Sequence, residues 1–216
     1  MRTVCRAEAG RRLATGLGAL APEVHLVVAV SPGGVKVASE ISRAFEAPLD
    51  VMVGVRLDVP GREHSLFGAV VDGSTMVLSD RVRNLDLPEE YVRQLTDRAR
   101  QYVEREGRAM RGGVPPIDCG GRSVVLADDG LTHSVVLTGA ARALREQGAS
   151  RLVFVAPMAG RELLAAILPY CDGHLVLFDP AEAPGAMICD ERMEQTTRIE
   201  AGAIVRQSRA HLTTVP

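Results

Sequence analysis

Residues Arg122 to Ala143 read RSVVLADDGLTHSVVLTGAARA, and this stretch changes character twice along its length. Ser123–Ala127 is a short apolar run between Gly120-Gly121 and two adjacent acids. It is too short and too rich in β-branched residues for a helix, so it reads as a buried strand. The strand ends on Asp128 and Asp129, followed at once by Gly130. Thr132, His133 and Ser134 come next, and then Leu137, Ala140, Ala141 and Leu144 at helical spacing. A strand, a tight acidic loop and a helix start form a site-building unit in open α/β sheets, where ligands lie outside the carboxyl ends of the strands. The unpaired N–H groups of the helix start favour an anion. The acid pair beside them suits a ligand with hydroxyl groups, or a metal.

Outward from this unit the chain alternates. Val24–Val30, Leu49–Val55, Arg151–Val155 and His174–Phe178 read as strands, and Ala7–Leu20, Val35–Phe45 and Arg161–Leu168 as helices. The pattern predicts an α/β fold, an open and mostly parallel sheet with helices on both faces and right-handed crossovers. Ser31-Pro32-Gly33-Gly34 reads as the turn leaving the first strand, its glycines free to take positive φ and to bring backbone close to a ligand. The runs LFGAVV and TMVLS around Asp72-Gly73 predict a hairpin. Pro88–Gly107 is a further helix, with Asp86 and Glu89 at capping-box spacing and Gly107 as its stop. Tyr91, Val92, Leu95, Ala99, Tyr102 and Val103 make its apolar stripe. Beyond Pro180 the periodicity fades to an irregular stretch with one or two short helical turns. Residues 1–180 therefore read as the main domain and 181–216 as an extension. The extension completes a pocket, docks as a tail or contacts another copy, and the sequence leaves these open.

Composition narrows the function. Hydrophobic residues make up 46% of the 216, ample for a core, and 25 basic against 27 acidic side chains leave a net charge of -2. That balance gives no reason to expect nucleic acid or an anionic membrane as partner. No apolar run approaches the ~20 residues of a membrane span, and MRTVCRAEAGRR lacks the apolar core of a signal peptide. The four cysteines and five histidines are dispersed, without C-x-x-C or metal-ligand spacing. A reduced, cytoplasmic setting is the expectation. The apolar hairpin around Phe67–Leu78 is a candidate homodimer surface.

VVLADDG at Val124–Gly130, its lead-in RGGVPPIDCGGR at Arg111–Arg122 and the early helix EAGRRLATGLGAL at Glu8–Leu20 together resemble the type I phosphoribosyltransferases, in particular small bacterial stand-alone members. The resemblance covers about residues 6 to 180. It implies transfer of 5-phosphoribosyl from phosphoribosyl diphosphate (PRPP) to a nitrogen acceptor such as a nucleobase, with release of pyrophosphate and with Mg2+ as cofactor. By the same resemblance Asp128 and Asp129 hold the ribose and the metal. Gly130, Leu131, Thr132, His133 and Ser134 hold the 5'-phosphate, and Pro32, Gly33 and Gly34 the pyrophosphate. Residues 56–80 form the hood, bringing Arg56, Arg62 and His64 near a bound phosphate. It names no catalytic residue.

Two departures stand out. The family continues D-D-G with a small residue and a threonine-glycine-small-threonine phosphate loop, where this chain has Leu131, Thr132, His133, Ser134, Val135 and Val136. Its pyrophosphate loop carries P-R-G-G, where this chain has Ser31-Pro32-Gly33-Gly34 and no arginine. Lys36 is the nearest replacement charge. Each hydrogen bond to a charged phosphate that is lost costs roughly 1.5–3 kcal/mol. The alternative reading is accordingly a catalytically degenerate member that binds a nucleotide or anion, or a partner, without transferring anything.

Overall fold

Val27 and Ala29 pack against one face of the central sheet while Leu26, Val28 and Val30 pack against the other. Strands buried on both faces are the mark of a parallel sheet covered by helices. The computed structural model describes residues 3–59, 61–62, 66–182, 187–189 and 195–212. In chain order β1 (Thr3–Cys5) leads into α1 (Arg6–Leu17), β2 (Leu26–Ala29), α2 (Pro32–Ala44) and β3 (Leu49–Val51). Next come β4 (Gly54–Asp58), β5 (Leu66–Val71), β6 (Ser74–Val77), α3 (Ser79–Asn84) and α4 (Glu89–Met110). The second half runs β7 (Ser123–Ala127), α5 (Ser134–Glu146), β8 (Arg151–Met158), α6 (Arg161–Ile167), β9 (Gly173–Phe178), β10 (Met187–Cys189) and α7 (Arg198–Leu212).

Five strands form the central sheet in the order β3-β2-β7-β8-β9, every neighbouring pair parallel. Helices α1, α2 and α7 cover one face, with Leu13, Leu17, Ile41 and Val205 against Val27, Val125 and Val153. Helices α5 and α6 cover the other, with Leu137, Leu144 and Ile167 against Val28, Leu126 and Phe154. After β2 the chain turns toward β3, and after β7 it turns the other way, toward β8. The crevice outside the carboxyl ends of β2 and β7 is therefore the switch point where such sheets bind ligands.

A second, antiparallel sheet, β4-β5-β6, stands beside the first and fits the expected hood. The predicted stripe of α4 packs onto it, around Leu57, Phe67 and Val70. Ala69 and Val71 join the main core beneath α5, so much of the hairpin's apolar surface is buried within the chain itself. No helix among the described residues is long and apolar enough to cross a membrane.

Several boundaries differ from expectation for identifiable reasons. Leu49–Val55 is two strands: the chain leaves the parallel sheet after Val51, and Asp72 accepts from the N–H of Val53. Ser31-Pro32-Gly33-Gly34 is the start of α2 rather than a turn. Ser31 caps it, accepting from the N–H of Gly34 at 2.9 Å, and Pro32 sits in the first turn. Helix α4 starts after Pro88 with no side-chain cap, and runs through Gly107 to Met110. A Cβ on Gly107 would lie 2.8 Å from Asp72 Oδ2, so this glycine makes room for the Asp72–Arg111 ion pair instead of stopping the helix. The irregular tail is the 15-residue helix α7, started by a capping box. Thr197 Oγ1 accepts from the N–H of Glu200, and Glu200 accepts from the N–H of Thr197.

Helices α1 and α2 meet through Gly10, whose missing Cβ would lie 2.5 Å from the carbonyl oxygen of Val37 and 2.8 Å from Glu40 Cβ. Gly10→Ala is expected to cost about 1–3 kcal/mol by overpacking. Gly18 caps the same helix with φ -55°, and a methyl group added there would meet nothing within 4 Å. Gly18→Ala is expected to hold or raise stability by about 0.4–1 kcal/mol. Urea midpoints at unchanged slope read both.

Candidate functional site

The loops leaving β2 and β7 diverge to opposite faces, because α2 covers one side of the sheet and α5 the other. Ser31 and the segment Asp128–Thr132 face each other across the gap. Pairing continues one step past β7, where the N–H of Asp128 donates to the carbonyl of Val155 at 3.0 Å. This step carries both acids inward: Asp128 is 0% and Asp129 3% exposed. Gly130 then turns the chain with φ +85°, and a Cβ there would lie 2.7 Å from the carbonyl oxygen of Met158. Only glycine meets both conditions.

Every carboxylate oxygen of the pair faces at least one donor, and the Ser31 hydroxyl is shared between two of them. Asp128 Oδ1 accepts from Thr132 Oγ1 at 2.5 Å and Ser31 Oγ at 3.2 Å. Asp128 Oδ2 accepts from the N–H of Gly130 at 2.8 Å and of Thr132 at 3.4 Å. Asp129 Oδ1 accepts from the N–H of Leu131 at 3.2 Å and shares the single Ser31 hydroxyl proton at 3.4 Å. Asp129 Oδ2 lies 2.9 Å from both Nε and a terminal nitrogen of Arg6, the first residue of α1. Arg6 is itself 2% exposed. The space for this pair comes from Gly33, where an added Cβ would collide with Asp129 Oδ2 and lie 2.7 Å from Arg6 Nε. Gly33 thus does allow a close approach, and what approaches is the Asp129–Arg6 pair.

Burial first, and then the charge of Asp129, push the Asp128 carboxyl from its ordinary 3.8 up to about 6, against the pull of the Thr132 and Gly130 donors. Magnesium takes oxygen ligands at roughly 2.0–2.1 Å and keeps several waters. A buried acid pair whose four oxygens all already accept from protein donors does not present such a ligand set. Among the described residues no cluster of three or more His, Cys, Asp or Glu could hold a metal ion.

In front of the acid pair lies a cleft of about 260 Å³. Ser31, Pro32, Thr132, His133 and Val136 form its floor, at the starts of α2 and α5. Val53, Gly54 and Arg56 of the β3–β4 segment and Tyr102, Glu106 and Met110 of α4 form its walls, closed by Arg198 at the start of α7. Arg198 lies 3.2 Å from Glu106 Oε2 and stacks 5.4 Å from the centre of the Tyr102 ring. His133 precedes the first turn of α5 in extended conformation, and its side chain makes no cap.

Of the residues expected at the site, Pro32, Thr132 and His133 line the cleft. Asp128, Asp129, Gly33 and Gly34 are buried behind it, and Leu131 is exposed. Gly130 makes the turn and Ser134 opens α5, neither of them lining the cleft. Arg56 reaches the cleft while paired with Asp58; Arg62 is exposed, and neither it nor Lys36 lines the cleft. His64 lies outside the described residues. Arg6, Glu106 and Arg198 were not anticipated. The capping box Thr197-Arg198-Ile199-Glu200 was the available signal for Arg198. For Arg6, 123 residues from its partner, there was none.

Two outcomes test this geometry. Gly33→Ala forces the Asp129–Arg6 pair apart, and breaking a buried pair costs roughly 3–5 kcal/mol. The Asp128 shift has a definite sign: the folded chain holds that proton more tightly than the unfolded chain. Its contribution to stability is therefore present below pH 3.8 and lost as pH rises to about 6. The unfolding free energy of the wild type minus that of Asp128→Asn should fall across this window by on the order of 3 kcal/mol and stay flat above it. Denaturant titrations at stepped pH check this.

No family model matches the chain. A Mycobacterium tuberculosis protein provisionally named a phosphoribosyl transferase is 31% identical over 177 residues, which is 82% of this chain. The chain spans only 40% of the length of that relative. The Thermus thermophilus protein TT1426, known from its crystal structure, superposes with a TM-score of 0.76 at 26% identity, over 96% of this chain and 99% of its own. A Neisseria gonorrhoeae protein crystallised with ppGpp shares the fold at 11% identity, with a TM-score of 0.53 over 96% of this chain and 98% of its own. Sequence and fold agree with the signature in β7 and its loop: the chain belongs to the type I phosphoribosyltransferase family.

Proposed function

We propose that the cleft binds a 5-phosphoribosyl ester and that the protein is a phosphoribosyltransferase, with PRPP as donor, a nitrogen base as acceptor and pyrophosphate as product. The observation that carries this reading is the position of the cleft. It lies at the switch point of the sheet, with the start of α5 on one side and the Tyr102–Arg198 stack on the other. The 5'-phosphate meets Thr132 and His133 where they lead into α5, at a helix start that favours an anion. The ribose lies over Ser31 and Thr132. The acceptor ring lies against Tyr102, with the Arg198 cation beside it. At about 260 Å³ the cleft lies just below the ~300–1,000 Å³ of most ligand pockets. One mononucleotide-sized ligand fills it.

The family's transfer step passes through an oxocarbenium-like state, and the leaving pyrophosphate needs positive charge close by. Ser31 and Pro32 supply none. This observation, with the inward-facing acid pair, favours a second reading: a nucleotide- or sugar-phosphate-binding module that performs no transfer. Structural likeness to the ppGpp-bound Neisseria protein is in keeping with a phosphorylated nucleoside ligand in either reading.

Calorimetry with ribose 5-phosphate and PRPP, together with a pyrophosphate-release assay on PRPP plus purine and pyrimidine bases, separates the two. Binding with pyrophosphate release establishes the transferase, and binding without release establishes the module. No binding of either ester at millimolar concentration rejects both. Arg198→Ala is expected to weaken a nucleoside monophosphate by about ten-fold, the worth of ~1–2 kcal/mol of cation–ring contact, while leaving ribose 5-phosphate unaffected.

A further inference from the structure

Arg6 sits where no sequence motif placed a functional residue, and its surroundings are unusually specific. It opens α1 from the far end of the chain and reaches beneath the carboxyl end of the central sheet. Its guanidinium meets Asp129 Oδ2 through two nitrogens at 2.9 Å, and both side chains are almost wholly removed from solvent. Gly33 backs the contact so closely that no side chain fits there. Three elements from distant parts of the sequence thus converge on the contact between this cation and the Asp129 carboxylate.

We propose that Arg6 is the resident cation of the acid pair, holding the charge position that a divalent metal would take, so that the site admits its ligand without a metal ion. Three features support this. The Asp129 oxygen that faces Arg6 is closed on its other side by the Gly33 backbone. The remaining oxygens accept from Ser31, Thr132 and the N–H groups of Gly130, Leu131 and Thr132. A guanidinium is always protonated and matches a carboxylate in geometry, so the position stays neutralised at every working pH. Arg6 is a positioning residue in this scheme. Through Asp129 it fixes Ser31, which lines the cleft, and the backbone N–H of Leu131. The metal part of the inference stands apart from the phosphoribosyl reading; only the identity of the metal-free ligand, a phosphate ester, rests on that reading.

The test uses metal alone. Titrating Mn2+ into the full chain and reading free Mn2+ by electron paramagnetic resonance should show no loss of signal attributable to the acid pair in the wild type. Arg6→Gln should gain one Mn2+ per chain, and Arg6→Gln with Asp129→Asn should lose it again. A wild-type chain that binds one Mn2+ and releases it on Asp129→Asn overturns the proposal, as does a folded Arg6→Gln that stays metal-free. Because the pair is buried, Arg6→Gln risks unfolding, so a second readout uses the wild type. The Arg6 Nε–H resonance, assigned by its loss in Arg6→Lys, should be protected from exchange and unmoved by added Mg2+. Its displacement by Mg2+ overturns the proposal. Failure of ribose 5-phosphate to bind leaves both metal readouts intact and counts against the ligand reading alone.

Discussion

A guanidinium and a carboxylate buried together beneath the switch point hold the two halves of the site in register. Neither charge is tolerable alone in so dry a place, since an uncompensated buried ion costs several kcal/mol. Together they oblige α1, β7 and the first turn of α2 to keep a fixed arrangement. Arg6 must open α1, Asp129 must follow β7, and position 33 must lack a side chain. Ser31 adds the last tie. Its hydroxyl accepts from the first turn of α2 and donates to the acid pair, so one oxygen couples the loop after β2 to the loop after β7. The floor of the cleft inherits its shape from these contacts.

A second group of buried charges works on the same principle around β3. Asp50 accepts from the N–H groups of Val51 and Ile117, both at 2.7 Å, and meets Arg209 of α7 at 2.5 Å. Burial raises the Asp50 carboxyl above its ordinary range, and Arg209 only partly reverses this. Nearby, Arg111 at the end of α4 pairs with Asp72 at 2.8 Å and donates to the carbonyl of Val51 at 2.9 Å. These contacts dock α4, α7 and the lead-in to β7 around one strand. Arg111 thereby occupies the outward-facing carbonyl of Val51 at the open edge of the sheet.

What was legible from sequence is what local chemistry determines. Ser123–Ala127 reads as a buried strand because its five residues leave no polar face, and the structure has that strand with those bounds. The stripe on α4 is legible because six apolar side chains fall on one face. Helix α7 escaped because Ala201 and Gly202 give little periodic contrast, although the Thr197–Glu200 box announced its start. The site was legible as a place but not as an arrangement. Two adjacent acids after a strand look the same whether they face a ligand or a buried arginine, and only long-range packing decides. Likewise Gly33-Gly34 reads as a turn until Ser31 and Pro32 are recognised as a cap and a helix start.

The two walls of the cleft rest on different supports, and this bears on how ligand choice is built. The floor stands on the central sheet and on the starts of α2 and α5, locked by the buried pair. The opposite wall stands on α4 and α7, where Tyr102 is flanked by Arg105 at 5.5 Å and Arg198 at 5.4 Å, and Glu106 steadies Arg198 from an exposed surface. Contacts of the second kind are worth about 1 kcal/mol or less each, so that wall can be altered with little cost to folding. The floor cannot, because any change at positions 6, 33 or 129 exposes a buried charge. Under the proposed function, a scaffold divided in this way keeps the phosphate and ribose contacts constant while the ring placed against Tyr102 is free to vary. The signature in β7 belongs to the floor, and so it identifies the family while carrying nothing about the residues of the opposite wall.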